Sequence, residues 1–324
     1  MAAKEIKTIG VLTSGGDAPG MNAAIRAVVR EGLVKGKRVM GIKRGYSGLL
    51  QGEIEEMDAR SVSDTIQKGG TILQTARCLE FQTPEGQQLG ADMCKKHGID
   101  AVVVIGGDGS FRGALDLSRL GVPVIGIPGT IDNDVASSDF SIGFDTAVNT
   151  ALEAIDRIRE TASSHERCSV IEVMGRNAGF IALEVGVGCG AECVLIPEVP
   201  FDLEKDVCQV LLTGRNMGKH HFIVVLAEGA GSAVDLAGKI EKITGIETRA
   251  TVLGYVQRGG SPTAFDRMMA SQMGIMAVEC ISKGKFNRVI VHRDGKIKDI
   301  DMEKALSMTK TIDASSLDAV RQLF

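Results

Sequence analysis

Three glycine-rich segments of the sequence carry residues that could bind or activate a phosphate group. They are SGGDAPG at residues 14–20, GGDGS at residues 106–110 and GTIDND at residues 129–134. Glycine lets a backbone approach a phosphate closely and turn its N–H groups toward it. The sequence has no G-x-x-x-x-G-K-[ST] motif, so a Walker A loop is excluded and any phosphate cradle is of another kind.

Asp108 stands among the glycines of the second segment, where a bare carboxylate would repel a polyphosphate. A bound divalent cation removes that conflict, and we therefore predict that Asp108 is a Mg²⁺ ligand. The alternative is a tight turn closed by an Asx-type hydrogen bond from Asp108. GGDG taken alone does not separate the two.

Asp132 and Asp134 lie two residues apart in the third segment. In an extended backbone both side chains would point the same way, and their repulsion would raise one pKa enough to make a usable base. Phosphoryl transfer to a hydroxyl needs such a base together with a metal ion. A solvated, Asx-rich turn is the alternative for this motif by itself, but three such segments together favour a phosphoryl-transfer site.

Arginines form a second set of candidates, because a guanidinium group binds phosphate with two parallel hydrogen bonds. Those near predicted strand ends or turns are Arg167, Arg176, Arg249 and Arg258. Arg26 and Arg30 are spaced i, i+4 and share one helix face. Each arginine singly is also compatible with a solvated surface position.

The elements that must position these residues alternate between short apolar runs and helical patterns. The predicted strands are Ile6–Thr13, Arg38–Ile42, Ala101–Ile105, Val122–Ile127, Ser169–Val173, Val194–Ile196 and Phe222–Ala227. The predicted helices are Met21–Val34, Ala178–Val187 and Leu203–Leu212. Continuously apolar strands are typical of parallel sheets covered on both faces, so the pattern predicts an α/β protein with doubly wound sheets. Ligands of such folds gather at the carboxyl ends of the strands, where the three segments lie.

Length and composition limit the remaining possibilities. A chain of 324 residues favours two domains, and the lack of a low-complexity linker suggests that they share the chain through several crossovers. A net charge of -4 and the absence of Trp argue against a nucleic-acid partner. The apolar runs are too short to span a membrane, and the N-terminus has no signal segment. The seven cysteines contain no C-x-x-C pair, so we expect reduced core thiols and a cytoplasmic protein.

Six runs of the sequence, in order, resemble the bacterial type of the ATP-dependent 6-phosphofructokinase family. They are IGVLTSGGDAPGMNAAIR, VVVIGGDGS, PGTIDND, AIDRIRETASSHER, EVMGRNAG and ETRATVLGYVQRGGSP. The resemblance covers nearly the whole chain and implies two doubly wound α/β domains with the active site in the cleft between them. It also implies an ATP-binding domain at 1–142 plus 257–305 and a sugar-phosphate-binding domain at 143–256 plus 306–324.

The implied reaction is phosphorylation of fructose 6-phosphate at its 1-hydroxyl by Mg-ATP, a committed step of glycolysis. The resemblance assigns Asp132 as general base, Thr130 as a contact to the hydroxyl, Asp134 as support and Arg176 as a stabiliser of the transferring charge. It assigns ATP, with Tyr46 near the adenine, to Gly16, Tyr46, Arg77, Cys78, Gly107, Asp108, Gly109 and Ser110. The sugar phosphate is assigned to Thr130, Asp132, Arg167, Met174, Gly175, Arg176, Glu228, Arg249, Tyr255 and Arg258.

The resemblance further implies a homotetramer in which Arg167 and Arg249 reach a neighbouring subunit's site. It implies an allosteric effector pocket at a subunit interface that uses Arg26, Arg30, Arg159, Glu192, Lys219 and His221. The chain departs from the family pattern at Tyr255, where His is common, and at Ala59 and Met217, where the family has Arg and Lys.

Three other functions share parts of this pattern. A pyrophosphate-dependent relative resembles GGDD and PKTIDND, whereas this chain has Gly109 and Gly129. A catalytically silent sugar-phosphate-binding regulatory protein would be expected to lose Asp108 or Asp132, and both are present. NAD kinases and lipid kinases share only the GGDG run.

Overall fold

The computed structural model describes residues 5–163 and 166–322 and divides the chain into two units. Unit 1 comprises Met1–Thr146 and Arg258–Lys310, and unit 2 comprises Ala147–Gln257 and Thr311–Phe324. The chain therefore crosses between the units three times. The divisions fall after residues 146, 257 and 310, whereas the sequence placed them after 142, 256 and 305.

Unit 1 is built on a seven-stranded sheet in the order β11-β10-β5-β4-β1-β2-β3. Its strands are β1 (Thr8–Thr13), β2 (Arg38–Ile42), β3 (Ile54–Met57), β4 (Ala101–Gly106), β5 (Val124–Pro128), β10 (Arg288–Arg293) and β11 (Lys296–Asp301). The strand pairs are parallel except for β2 with β3 and β10 with β11. Its helices are α1 (Met21–Val34), α2 (Gly45–Gln51), α3 (Pro84–Lys96), α4 (Asp108–Arg119), α9 (Ala264–Ser282) and α10 (Met302–Leu306).

Helices cover both faces of the seven-stranded sheet. On one face, α2, α3, α4 and α10 pack a cluster that includes Leu12, Val104 and Phe111. On the other, α1 and α9 approach so closely that a Cβ added at Gly274 would lie 2.6 Å from Ala27 Cβ. Both faces of β1 and β4 are consequently buried, which explains why β4 is continuously apolar and why β1 is apolar between its two terminal threonines.

Unit 2 is built on a four-stranded parallel sheet in the order β7-β8-β6-β9. Its strands are β6 (Cys168–Val173), β7 (Cys193–Leu195), β8 (Phe222–Ala227) and β9 (Thr248–Val252). Its helices are α6 (Phe180–Cys189), α7 (Gln209–Asn216), α8 (Ala233–Thr244) and α11 (Asp318–Gln322). The long helix α5 (Phe144–Ser163) begins in unit 1 and runs into unit 2. Residues of α7 and α8 fill a core with one face of the sheet, and α6 packs on the other, where Gly186 meets Val194.

The structure confirms the predicted α/β class with two sheets and corrects some element bounds. Helix α1 and strands β2 and β8 have the predicted ends. The predicted helix 203–212 is a π-helical turn at Leu203–Cys208 that continues as α7. Its start is fixed by Asp202, whose side chain accepts hydrogen bonds from the N–H groups of Glu204 and Lys205.

All seven cysteines are free thiols, and five of them are buried. Burial raises the pKa of the Cys94 and Cys168 thiols to about 12. None of the described helices combines the length and the apolar character that crossing a membrane would require.

Candidate active site

The three glycine-rich segments of unit 1 are brought together because they follow neighbouring strands. Strands β1, β4 and β5 are adjacent and parallel, so their carboxyl ends lie along one edge of the sheet. Ser14 N–H donates to the Ile105 carbonyl at 2.9 Å, and Gly129 N–H donates to the Gly106 carbonyl at 2.9 Å. A Cβ added at Gly106 would lie 2.4 Å from the Ser14 carbonyl oxygen. The contact between the first two segments therefore requires glycine.

The first segment is tied to the stretch between β3 and α3, which the sequence reasoning left unassigned. The Asp17 carboxylate accepts a hydrogen bond from Thr71 N–H at 3.1 Å. The Thr75 hydroxyl donates to the Gly15 carbonyl at 2.6 Å. In the same stretch, Arg77, which the resemblance assigns to ATP, is exposed, and Cys78 is half-buried against the core. These two hydrogen bonds hold residues 71–75 beside the first glycine-rich segment.

Arg258 joins the first segment to the third. Its guanidinium donates to the Asp17 carbonyl at 3.1 Å and lies 3.9 Å from the Asp132 carboxylate. A Cβ added at Gly16 would be 2.5 Å from Arg258 Nη1, so this guanidinium occupies the space beside the glycine. The resemblance assigned Arg258 to the substrate phosphate. In the structure its side chain lies between the first glycine-rich segment and Asp132.

The second segment leads directly into helix α4, whose first residue is Asp108. Burial raises the pKa of the Asp108 carboxyl group, the nearby Asp134 carboxylate raises it further, and Arg112 opposes the shift. Two carboxylates close enough to repel each other can provide oxygen ligands for a divalent cation. Next to them, a Cβ added at Gly109 would meet no atom within 4 Å. The helix N-terminus adds its positive end to the same place.

The oxygen ligands around Asp108 suit Mg²⁺ better than a metal ion that is held by protein ligands alone. Within residues 5–163 and 166–322, no group of three or more His, Cys, Asp or Glu side chains could hold a metal by itself. Mg²⁺ is commonly held by one or two carboxylates and completed by water and substrate phosphates. The residues present therefore fit the ion that the sequence implied at Asp108.

The third segment corrects the expectation of an extended backbone. Asn133 adopts a left-handed conformation with φ of 52°, so residues 131–134 form a turn. As a result the Asp132 side chain is buried, whereas Asp134 is exposed and close enough to Asp108 to add to the raised pKa of its carboxyl group. Asp134 is therefore a neighbour of Asp108, which the spacing within the third segment did not predict.

Thr130 and Asn133 hold the turn in place. The Thr130 hydroxyl accepts a hydrogen bond from Asp132 N–H at 3.2 Å. The Asn133 amide donates to the Asp139 carbonyl at 3.1 Å, and its oxygen accepts from Ser141 N–H at 3.0 Å. Asn is among the few residues that adopt a left-handed backbone readily, which explains its presence here. The sequence reasoning did not single out Asn133, although an Asn between two Asp residues is a turn signal.

Tyr46, which the resemblance puts near the adenine, is deeply buried in unit 1. Only 6% of the residue is exposed, its ring stacks on Phe81 at 4.1 Å, and its hydroxyl donates to the Ser110 carbonyl at 2.6 Å. Burial strongly raises the pKa of this phenol. Tyr46 therefore supports the second segment from beneath.

In unit 2, the candidate substrate residues divide between two ends of the sheet. At the carboxyl ends of β6 and β8, the Glu228 carboxylate accepts hydrogen bonds from Gly175 N–H at 3.1 Å and Arg176 N–H at 2.6 Å. Arg176 has φ of 56° and is exposed. Met174, the residue before Gly175, donates its N–H to the Gln257 side chain at 2.8 Å. Tyr255 is 82% exposed.

Arg167 and Arg249 lie at the opposite, amino-terminal end of the same sheet. Arg167 immediately precedes β6. Arg249 lies in β9, where it pairs with Ser169 of β6. Both guanidinium groups contact the Glu247 carboxylate, at 2.9 Å and 2.5 Å. Since a strand rises about 3.3 Å per residue, the length of β6 puts roughly 20 Å between these arginines and Arg176. The four predicted arginines are thus not one cluster within a chain.

The expected effector residues belong to different parts of the chain. Arg26 and Arg30 lie on α1 in unit 1. In unit 2, Arg159 donates to the Cys189 carbonyl and Lys219 pairs with the buried Glu192. These unit 2 residues line a cavity of about 850 Å³ that also includes Met217. His221 is half-buried and is not among the residues that line this cavity.

Comparison with known proteins gives this arrangement a family. Residues 8–281 match the family model described as Phosphofructokinase. A Clostridium botulinum protein named ATP-dependent 6-phosphofructokinase is 58% identical over 97% of this chain and 98% of its own length. A phosphofructokinase from Pichia pastoris, solved in the T-state, is 35% identical with a TM-score of 0.90 over 99% of this chain and 38% of that longer chain. A pyrophosphate-dependent phosphofructokinase from Marinobacter aquaeolei has the same fold, with a TM-score of 0.85 over 98% of this chain and 91% of its own and 24% identity. The chain therefore belongs to the phosphofructokinase family.

Proposed function

We propose that the chain phosphorylates fructose 6-phosphate at its 1-hydroxyl with Mg-ATP, giving fructose 1,6-bisphosphate and ADP. The full-length identity of 58% to a protein named ATP-dependent 6-phosphofructokinase supports the overall reaction, and this chain is an enzyme of that kind. The observation that carries the mechanism is the meeting of three glycine-rich segments at the ends of β1, β4 and β5, with Asp108 and Asp132 among them.

The ATP phosphates are proposed to lie on Gly16 and on the Gly107–Ser110 loop. Backbone N–H groups and the N-terminus of α4 offer donors to anionic oxygens there. Gly109 leaves open space for a phosphate, and Tyr46 and Phe81 keep the loop supported from below. Arg77 is exposed and free to turn toward the nucleotide, with Cys78 beside it.

Asp108 is proposed as the Mg²⁺ ligand, with Asp134 near it. When bound, the ion neutralises charge on the phosphate oxygens. Burial and the neighbouring Asp134 carboxylate both raise the pKa of Asp108, so a cation at this position would relieve an unfavourable charge. Asp134 is therefore proposed to support the cation.

Asp132 is proposed as the general base that takes the proton of the 1-hydroxyl. It is buried, its backbone is fixed by Thr130, and the Arg258 guanidinium stays 3.9 Å away. A cation near the carboxylate favours its ionised form, which is the form that can accept a proton. The Thr130 hydroxyl is proposed to contact the same sugar hydroxyl.

The sugar phosphate is proposed to use residues from two chains. Met174, Gly175, Arg176 and Glu228 stand at the carboxyl ends of their strands and would serve the chain's own site, with Arg176 stabilising the transferring charge. Arg167 and Arg249 stand at the other end of the sheet and would serve a neighbouring subunit. This division supports a homotetramer with shared sites. Tyr255 is exposed and offers one hydroxyl donor where a charged His is common in the family.

Allosteric control is proposed to be weak, and a cytoplasmic location is proposed because the relatives are enzymes of glycolysis. The cavity beside Arg159 and Lys219 has the exposed Met217 at its edge, where the family has a cation, and Ala59 replaces another. Each lost charge-assisted bond to an anionic effector costs about 1.5–3 kcal/mol. We expect millimolar ADP or phosphoenolpyruvate to shift half-saturation by fructose 6-phosphate less than twofold. A several-fold shift at submillimolar effector would contradict this.

Pyrophosphate as the donor is the second candidate, because a pyrophosphate-dependent relative shares the fold. Gly109 and Gly129 argue against it. A Cβ added at Gly129 would meet Ile105 Cγ2 at 3.0 Å and Met21 Cε at 3.2 Å, so a lysine there would require repacking. The test is turnover with each donor at matched fructose 6-phosphate. We expect ATP to be used much faster, and faster turnover with pyrophosphate would overturn the proposal.

A further inference from the structure

Lys310 is a half-buried cation that none of the proposed catalytic steps uses. Its ammonium group donates hydrogen bonds to the carbonyls of Ser138 at 2.9 Å and Asp139 at 3.0 Å. It lies in the irregular stretch after α10 and is the last residue of unit 1. A lysine whose donors are used on backbone carbonyls loses rotamer freedom and hydration, so its position demands an explanation.

The Asp139 carbonyl links Lys310 to the turn that holds Asp132. That oxygen also accepts the hydrogen bond from the Asn133 side chain at 3.1 Å. Two donors, one from each of the two chain segments that make up unit 1, therefore bond to one acceptor. The opposite edge of Asn133 is held by Ser141, whose hydroxyl also donates to the Thr130 carbonyl at 2.7 Å.

The same stretch is anchored to β10 at a second point. Asp139 N–H donates to the His292 carbonyl at 2.8 Å, and His292 N–H donates to the Ser138 hydroxyl at 3.0 Å. These bonds fix the far side of residues 138–139. The Lys310 ammonium binds the carbonyls of both residues, and the Asp139 carbonyl is the one that accepts from Asn133.

We infer that Lys310 is a positioning residue, which holds the Asp139 carbonyl so that Asn133 can keep the turn with Asp132 in its working geometry. The Asn133 side chain, bonded at both its amide nitrogen and its oxygen, ties the left-handed turn to residues 139 and 141. Without Lys310 the acceptor of Asn133 is less fixed, and Asp132 shifts relative to the hydroxyl it serves. This inference rests on the proposed role of Asp132 as the base.

The test compares Lys310→Met, Lys310→Arg and the control Lys304→Met in the full chain. Lys304 is exposed on α10, so the control makes the same chemical change away from the turn. Because a small misplacement of a catalytic group costs up to about a hundredfold, we expect Lys310→Met to lower kcat about tenfold to a hundredfold while both KM values change less than threefold. Lys310→Arg should recover most of the loss, and Lys304→Met should behave as wild type.

Hydrogen exchange supplies a readout that does not depend on activity. The Ser141 N–H bonded to Asn133 should exchange at least tenfold faster in Lys310→Met than in wild type, with no change in Lys304→Met. Wild-type turnover with fructose 6-phosphate and ATP, measured alongside, tests the proposed function separately. Unchanged kcat and exchange in Lys310→Met would overturn the inference. So would equal losses in the Met and Arg variants, or a loss of kcat that only follows the folded fraction. If Lys310→Met does not fold, Lys310→Gln, which keeps one donor, takes its place under the same criteria.

Discussion

Asp132 is the residue on which the proposed chemistry depends most. Asp132→Asn keeps nearly the same shape but cannot accept the hydroxyl proton. Loss of a general base costs about 10² to 10⁴ in rate, so we expect kcat to fall by that factor while both substrates still bind. The measurement is kcat together with calorimetric binding of fructose 6-phosphate.

A matched control for this change is Asp92→Asn, on the exposed face of α3. It should leave kcat within about twofold of wild type, as surface substitutions usually do. Near-normal kcat in Asp132→Asn itself would reduce Asp132 to a turn residue.

A single substitution at Gly109 tests whether ATP is the phosphoryl donor. The open space beside it accepts a larger side chain without a clash, so Gly109→Asp changes charge more than packing. Like charges placed together cost several kcal/mol, and we expect kcat/KM for ATP to fall by about a hundredfold or more. Gly109→Asn, of the same size without the charge, should lose much less. Equal losses in the two variants would mean that space, rather than charge, excludes a side chain at position 109.

At the scale of elements, Asp266 joins α9 to the start of α5. Its buried carboxylate accepts hydrogen bonds from Gly143 N–H at 2.8 Å and from the N–H and hydroxyl of Thr146 at 2.9 Å and 2.5 Å. Burial, partly offset by those hydrogen bonds, raises the pKa of this carboxyl from 3.8 to about 6. Between pH 3.8 and about 6, the Asp266 carboxyl group is therefore largely protonated in the folded protein and largely ionised in the unfolded chain.

This shift predicts the pH dependence of stability. A raised pKa contributes stability that is complete below pH 3.8 and is lost as the pH rises to about 6, and the loss amounts to about 3 kcal/mol. We expect the difference in unfolding free energy between wild type and Asp266→Asn to change by that order across this range. Asp235→Asn is the same change at the equivalent exposed position of α8. It should leave the pH dependence of the unfolding free energy as in wild type. Parallel curves for wild type and Asp266→Asn would contradict the assignment.

The elements themselves were largely predictable from the sequence, whereas the side-chain geometry was not. Buried parallel strands such as β4 and β8 are recognisable because both faces are covered and every residue is apolar. The turn at Asn133 was missed because two aspartates at spacing two were given an extended backbone, and a left-handed residue between them reverses that inference. The contact of Arg258 with the first segment joins positions more than 240 residues apart, and no local pattern encodes it.

For the whole molecule, the separation of Arg167 from Arg176 along β6 predicts complementation between variant subunits. Arg167→Ala should raise KM for fructose 6-phosphate about tenfold or more, since each charge-assisted phosphate bond is worth about 1.5–3 kcal/mol. Subunits of Arg167→Ala mixed and reassembled with subunits of Asp132→Asn should regain activity at low substrate. In the mixed assembly some sites combine an intact Asp132 with an intact Arg167 from the neighbour.

The control pairs Asp132→Asn with Arg176→Ala. Both of those residues are proposed to serve their own chain's site, so no mixed site is complete and no activity should return. Sedimentation velocity on the same samples reports whether the assembly is a tetramer. No recovery in the test pair would place Arg167 in its own chain's site, and recovery in the control would mean that Asp132 and Arg176 serve sites of different chains.

The guanidinium of Arg258 that fills the space beside Gly16 has a consequence for how this sequence can change over generations. A side chain at position 16 would push the end of the Arg258 side chain away from its present position, and an uncharged residue at 258 would remove the cation near Asp132. Each single step therefore lowers fitness even where the double change would restore packing. We expect mutational libraries to show strong negative selection at both positions, with Gly16→Ala less harmful in an Arg258→Lys background than in wild type.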